Sequence, residues 1–310
     1  MEQIRLILAV LDPTATDHPA LAKAGQLARA TGACLRLFCC DRDTRLVARL
    51  LLDPAALSAA RAAFLAGRRD WLAGLAEPWS RAGVSVEIEA AWDGPLHAGI
   101  LREVALARPD LVVKDTHWHG PLRRGLFTST DWYLVQDCTT PLLLVKPRPW
   151  PPRPRIAAAV DPGHPDDPAD VLDHAILGAA ERMVGAVDGE LAVVHAYLNV
   201  DPMVIAAAAG MPLAGVPAGL AGGADLRASA AAALQSLLEG HRCPQEAVHL
   251  LEGAALEALP AFCERLPVDI LAVGVMSRSR LFERVIGSTA ERLLDRVPCD
   301  LLVVHARPRA

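Results

Sequence analysis

Val273 to Leu294 reads VGVMSRSRLFERVIGSTAERLL. An apolar strand ends here, a loop follows, and a Gly-Ser-Thr step enters a new helix. Gly274 and Gly287 bracket the loop, while Ser288, Thr289 and Glu291 stand where the helix begins. Glycine permits close backbone approach. The free N–H groups and dipole of a helix start favour an anion. The stretch is therefore a recipe for holding phosphate. A second reading stands beside it: Ser288 with Glu291 three residues on is a capping box, which any helix can use to satisfy its own amides.

Working outward, the chain repeats itself. Asp269 to Val273 matches Asp110 to Lys114, and at the same offset Leu281 meets Leu122, Ser288 meets Ser129, Thr289 meets Thr130, and Leu301 to Val304 meets Leu142 to Val145. A gapless match over the last third of both halves marks a tandem duplication.

Each half alternates strand and helix. In the first, strands are predicted at Ile4 to Leu11, Leu35 to Cys40, Val84 to Ala90, Leu111 to Val113 and Leu142 to Val145. Helices are predicted at His18 to Ala30, Pro54 to Ala82, Gly94 to Ala107 and from Ser129. The second half repeats the plan with strands Ile156 to Val160, Leu191 to Ala196, Ala247 to Leu251, Asp269 to Val273 and Leu301 to Val304. Its helices are expected at Ala169 to Val184, Asp225 to Leu238 and from Gly253. Such alternation predicts an α/β fold with parallel sheets. The boundaries are residues 1–146, a linker 147–155 and residues 156–310. The run Lys146 to Arg155, KPRPWPPRPR, reads as a semi-rigid, solvated spacer. Met203 to Gly223, rich in Ala, Gly and Pro, reads as a flap over a ligand crevice or as ordinary loop variation.

Composition narrows the class. At 310 residues, 52% apolar, 22% charged and net charge −5, the chain suits two globular domains and lacks the basic surface of a nucleic-acid binder. The start, MEQIRLILAVLD, is too short and wrongly flanked for a signal peptide, and no apolar run reaches spanning length, so a cytoplasmic protein with no membrane partner is expected. Seven cysteines show no CxxC spacing and read as buried, reduced thiols, Cys39 and Cys40 included. Asp115, His117 and His119 fall short of the four ligands of structural zinc. His195, inside an apolar strand, reads as a hydrogen-bonded core histidine. Asp12 reads as a cap for the next helix. No Gly-x-Ser-x-Gly, Walker A loop or Gly-x-Gly-x-x-Gly occurs, which leaves catalysis without a home.

With both copies in view, the chain resembles a tandem member of the universal stress protein family. Nucleotide-binding members carry Gly-x-x-Gly, nine residues, then Gly-Ser or Gly-Thr. Here Gly274, Ser277 in place of the second glycine, and Gly287-Ser288 reproduce the pattern with one departure. The strings PLRRGLFTSTDW and VVKDTHWH look like the family's two-domain type. The resemblance implies two doubly wound domains, each a five-stranded parallel sheet with helices on both faces, of the adenine nucleotide alpha hydrolase-like, Rossmann-like kind. It implies that the two halves pair through their last strands as a pseudo-dimer, with a homodimer or protein partner as further options. It also implies ATP or a related nucleotide, with Mg²⁺, in the C-terminal half only. There Asp161 would meet the adenosine, Gly274, Ser277, Gly287 and Ser288 would hold phosphates, and Thr289 would support the helix start. In the first half Asp115, Trp118 and Thr128 replace the three motif residues, so ATP is not expected there. The implied role is stress sensing by binding, with at most weak ATPase activity. The alternatives are a nucleotide-independent scaffold and an apolar-ligand binder.

Overall fold

In the computed structural model, the residues described are 3–43, 45–46, 53–116, 129–163, 170–198, 226–241, 243–275, 293 and 296–306. The first half contains β1 (Leu6–Val10), α1 (Pro19–Thr31), β2 (Cys34–Asp41), α2 (Pro54–Arg81), β3 (Val86–Trp92), α3 (Leu96–Ala107), β4 (Leu111–Asp115), α4 (Ser129–Asp137) and β5 (Leu142–Val145). The second contains β6 (Arg155–Ala159), α5 (Val171–Val187), β7 (Glu190–Tyr197), α6 (Leu226–Leu237), β8 (Val248–Glu252), α7 (Ala255–Arg265), β9 (Ile270–Val275) and β10 (Asp300–His305). Every predicted strand is present, with ends shifted by at most two residues.

The strands form one ten-stranded sheet in the order β3-β2-β1-β4-β5-β10-β9-β6-β7-β8. Pairing is parallel within each half and antiparallel only where β5 meets β10, with Leu301 opposite Leu144 and Val303 opposite Leu142. The predicted pairing through last strands is therefore the seam of the molecule. Apolar strands such as LILAV and LLLV are buried on both faces, as parallel strands covered by helices must be. One face packs under α1, α2, α5 and α6, through residues such as Leu27, Leu72, Leu177 and Leu234. The other packs under α3, α4 and α7, through Ile100, Leu134 and Phe262.

Local sequence sets the ends of these elements. Proline at the first turn and Gly32 at φ +72° open and close α1. Asp53 caps α2 through the Ala56 amide at 2.9 Å. The duplication is visible in hydrogen bonds too. Asp110, ahead of β4, accepts from the Arg5 and Leu6 amides at 2.7 and 3.0 Å. Its counterpart Asp269, ahead of β9, accepts from the Arg155 amide at 2.9 Å.

Most of the linker is exposed, as expected of a solvated spacer, but Trp150 is not. Trp150 packs against the core and donates its indole N–H to Asp300 at 2.7 Å, and the Lys146 amide donates to the other Asp300 oxygen at 2.8 Å. Lys23 of α1 completes the cluster with an ion pair to Asp300 at 2.6 Å, both side chains buried. Proline stiffness made this stretch look like a strut, but its aromatic and its backbone donors serve a buried carboxylate of the other half.

Candidate functional site

Open parallel sheets hold ligands beyond the carboxyl ends of the strands, at the point where strand order reverses. The strand order places one such point between β1 and β4 and another between β6 and β9.

In the second half, Asp161 follows β6 at this point, as the sequence predicts. Its side chain is 65% exposed, with Oδ1 3.8 Å from His195 Nδ1. The turn behind it is pinned by the start of α5. The Asp161 amide donates to buried Asp173 at 3.0 Å, and the amide of Gly163, at φ +79°, donates to Asp170 at 2.9 Å. Sequence reasoning missed Asp173 and Asp170. The available signal was acidic residues at the start of α5, next to a Pro-Gly turn.

Gly274 lies one residue before the end of β9. A Cβ there would sit 2.6 Å from Leu172 and 2.8 Å from Ile176, both on α5. The close approach that this glycine permits is that of a helix of its own chain. Ser277, Gly287, Ser288 and Thr289 lie outside the described residues, as do Trp118, Thr128, His117, His119 and the segment from Met203 to Gly223.

The first half treats the matching point differently. Asp115, which aligns with Gly274, ends β4 and accepts from the Ala20 amide at 2.6 Å, at the start of α1. Its carboxylate thus stands where a helix start would otherwise favour an anion. Beside it, Lys114 pairs with Asp131 of α4 at 2.8 Å, both buried, and donates to the Asp115 carbonyl at 2.9 Å. Asp12 does not cap α1. It folds back on Thr14, accepting from its amide at 2.8 Å and its hydroxyl at 2.6 Å. The residue before α1 is His18, whose side chain makes no cap hydrogen bond, and Asp115 supplies the missing acceptor from across the sheet.

All seven cysteines are free; five are buried, but Cys34 and Cys243 are half-buried, contrary to expectation. Burial pushes the thiol of Cys39 up to about 12 and those of Cys40 and Cys138 up to about 11, which suppresses the reactive thiolate. His195 is buried and bonded to the Val160 carbonyl at 3.0 Å, as a core histidine should be. Among the described residues, no group of three or more His, Cys, Asp or Glu side chains could hold a metal ion. Among them, too, no helix is long and apolar enough to cross a membrane. A groove of about 730 Å³ opens beside Leu111 and Pro141, at the N-terminal side of β4 and β5 and away from Asp161.

Two doubly wound halves joined through their last strands match one family. The chain belongs to the universal stress protein family, whose model matches residues 3–146 and 152–305. Among curated relatives it is similar to universal stress protein E of Salmonella typhi, 29% identical over 305 residues, covering 98% of this chain and 95% of the relative. Universal stress protein E of Escherichia coli K12 is 28% identical with the same coverage. Among solved structures, a putative universal stress protein from Pseudomonas aeruginosa UCBPP-PA14 is 26% identical with a TM-score of 0.71, covering 97% of this chain and 93% of that one. The protein is thus a tandem universal stress protein similar to the E type.

Proposed function

We propose that the protein binds ATP or a related adenine nucleotide in its second half alone and works as a stress-response sensor through that binding. The observation that carries this is the contrast at the two switch points. Asp115 sets a carboxylate on the α1 amide at the end of β4, whereas its counterpart Gly274 sets none, and Asp161 at the end of β6 is exposed. The Asp115 carboxylate repels a triphosphate, whereas the matching position in the second half carries no side chain and Asp161 offers an outward acceptor to a nucleoside.

The nucleotide supplies a triphosphate, with Mg²⁺, to be held by the loop motif. Asp161 accepts hydrogen bonds from the nucleoside. The backbone of Gly274, Ser277, Gly287 and Ser288, with the serine hydroxyls, donates to phosphate oxygens, and Thr289 steadies the helix start. The Asp173 and Asp170 carboxylates hold the Asp161 turn in place, so its carboxylate is pre-oriented. Binding changes the surface offered to a partner, which is a second copy or another protein, in the cytoplasm. No residue of the chain is assigned as a catalytic base.

Calorimetry with ATP and Mg²⁺ tests the reading on the full chain, beside Gly287→Trp and Asp161→Ala. Micromolar binding to the wild type, lost in Gly287→Trp and weakened about tenfold in Asp161→Ala, is expected. No heat with the folded wild-type protein overturns it and leaves a nucleotide-independent scaffold.

A further inference from the structure

The second half holds two thiols that meet each other. Cys263 lies in the last turn of α7, and Cys299 directly precedes β10. Backbone bonds bring these two places together. The Cys263 carbonyl accepts from the Val268 amide at 3.2 Å, and the carbonyl of the next residue, Asp269, accepts from the Asp300 amide at 3.0 Å. Both cysteine side chains are buried, in the same apolar cluster as Phe262, Val268 and Val297. There the two thiols are hydrogen-bonded to each other, and that bond together with burial pushes the Cys299 thiol up.

The other five thiols are placed differently. Cys34 accepts from the Ser85 hydroxyl, whereas Cys40, Cys138 and Cys243 donate to backbone carbonyls. Cys39 adjoins Cys40 in sequence, but strand alternation sends the two to opposite faces of the sheet, into separate clusters. The duplication supplies a further contrast. At the offset that aligns Asp269 with Asp110, Cys263 meets Val104 and Cys299 meets Thr140. Those two residues line one groove of the first half, with no thiol at either place.

We propose that Cys263 and Cys299 form a redox site, in which peroxide joins them as a disulfide between the end of α7 and the start of β10. Oxygen transfer from peroxide converts one thiol to a sulfenic acid and releases water. The partner thiol attacks that sulfur, the S–S bond forms, and a second water leaves. Two thiols and one peroxide thus give one disulfide and two waters, with two electrons passing from sulfur to oxygen. Burial slows the first step. The second is fast because the partner is already in contact, whereas a thiol without such a neighbour stays a sulfenic acid or is oxidised further. The bond closes a ring of chain from Cys263 to Cys299 that contains Gly274, Ser277, Gly287, Ser288 and Thr289. Constraining that ring in the unfolded chain stabilises the fold. The disulfide forms whether or not the loop binds a nucleotide.

The test treats the full-length protein with hydrogen peroxide, then unfolds it and alkylates the remaining thiols with iodoacetamide. Mass spectrometry is expected to find a cross-linked peptide pair holding Cys263 and Cys299, with two of the seven alkylation sites lost. The urea midpoint should rise on oxidation and return with dithiothreitol. Cys263→Val and Cys299→Thr install the first half's residues and serve as controls. Each, shown to be folded by its own urea transition before oxidation, should form no disulfide and show no reversible rise. Seven alkylated thiols after peroxide, sulfinic acid at either position without the bond, or a reversible rise retained in a folded variant overturns the proposal. If one variant fails to fold, the other variant and the cross-linked peptide still decide.

Discussion

At the matching ends of β4 and β9 the two halves place opposite groups: Asp115 in one, and in the other Gly274, which has no side chain. Asp115 reaches the first turn of α1 and accepts from Ala20 at 2.6 Å. Gly274 lets Leu172 and Ile176 of α5 come so close that a Cβ would clash. One duplicated fold thus solves one problem, seating a helix start over a strand end, in two incompatible ways. The first consumes the helix's affinity for anions with an internal carboxylate. The second packs Leu172 and Ile176 of α5 directly on a strand end that has no side chain, while Asp161 faces outward.

The largest expected effect lies at the seam where the halves meet. Lys23→Met leaves Asp300 buried without its cation, and about 4 kcal/mol of stability should go, read as a fall in the urea midpoint. The double variant with Asp300→Asn should recover much of the loss, because the unpaired charge is then gone while an acceptor oxygen stays. Next comes Gly274→Ala, which forces a methyl against Leu172 and should cost about 2 kcal/mol with no nucleotide present. An unchanged midpoint would break the comparison, since glycine there would no longer be explained by packing. Asp115→Ala removes a cap from α1 and should cost about 1 kcal/mol. The two matching positions therefore differ in kind: one tolerates no atom, and the other misses a bond.

Much of the frame was legible because it is written locally. Alternating apolar runs and turn residues gave the strands, and the constant offset from Asp110 and Asp269 onward gave the duplication. The family resemblance supplied the seam. Asp161 could be placed because it follows directly on its strand. What was hidden depends on residues far apart in the chain. The Asp115 carboxylate meets an amide 95 residues away, and Lys23 meets Asp300 across 277. No periodicity reports such pairs. The Trp150 contact was hidden for a related reason, as proline content describes stiffness and says nothing of the acceptor that Trp150 finds. At Gly274 the glycine signals close approach without saying that α5 of the same chain is one thing that approaches.

The smallest effect sharpens the comparison at the seam itself. Lys146 and His305 occupy matching places at the end of the last strand of each half, and each reaches a backbone carbonyl of the other. Lys146 donates its ammonium to the Val297 carbonyl, and His305 donates Nε2–H to the Val135 carbonyl at 2.9 Å. Lysine stays charged throughout the neutral range, whereas histidine does not. Burial holds the His305 imidazole below its ordinary value, with the Val135 carbonyl and Asp137 opposing it less strongly. The unfolded chain therefore takes up this proton first as pH falls, so it binds more protons than the folded one within the window. Stability then rises with pH through that window, and it is lost as pH drops below about 6.5 toward the folded value. His18 and His249 are shifted the same way by burial, so the wild-type slope alone cannot identify the source. His305→Gln keeps an amide N–H at the place of Nε2 and cannot titrate. Urea midpoints at pH 7.5, 6.5 and 5.5 should fall less steeply in this variant than in the wild type. Equal slopes would mean that the folded seam already accommodates a charged ring, making the two ends of the seam alike after all.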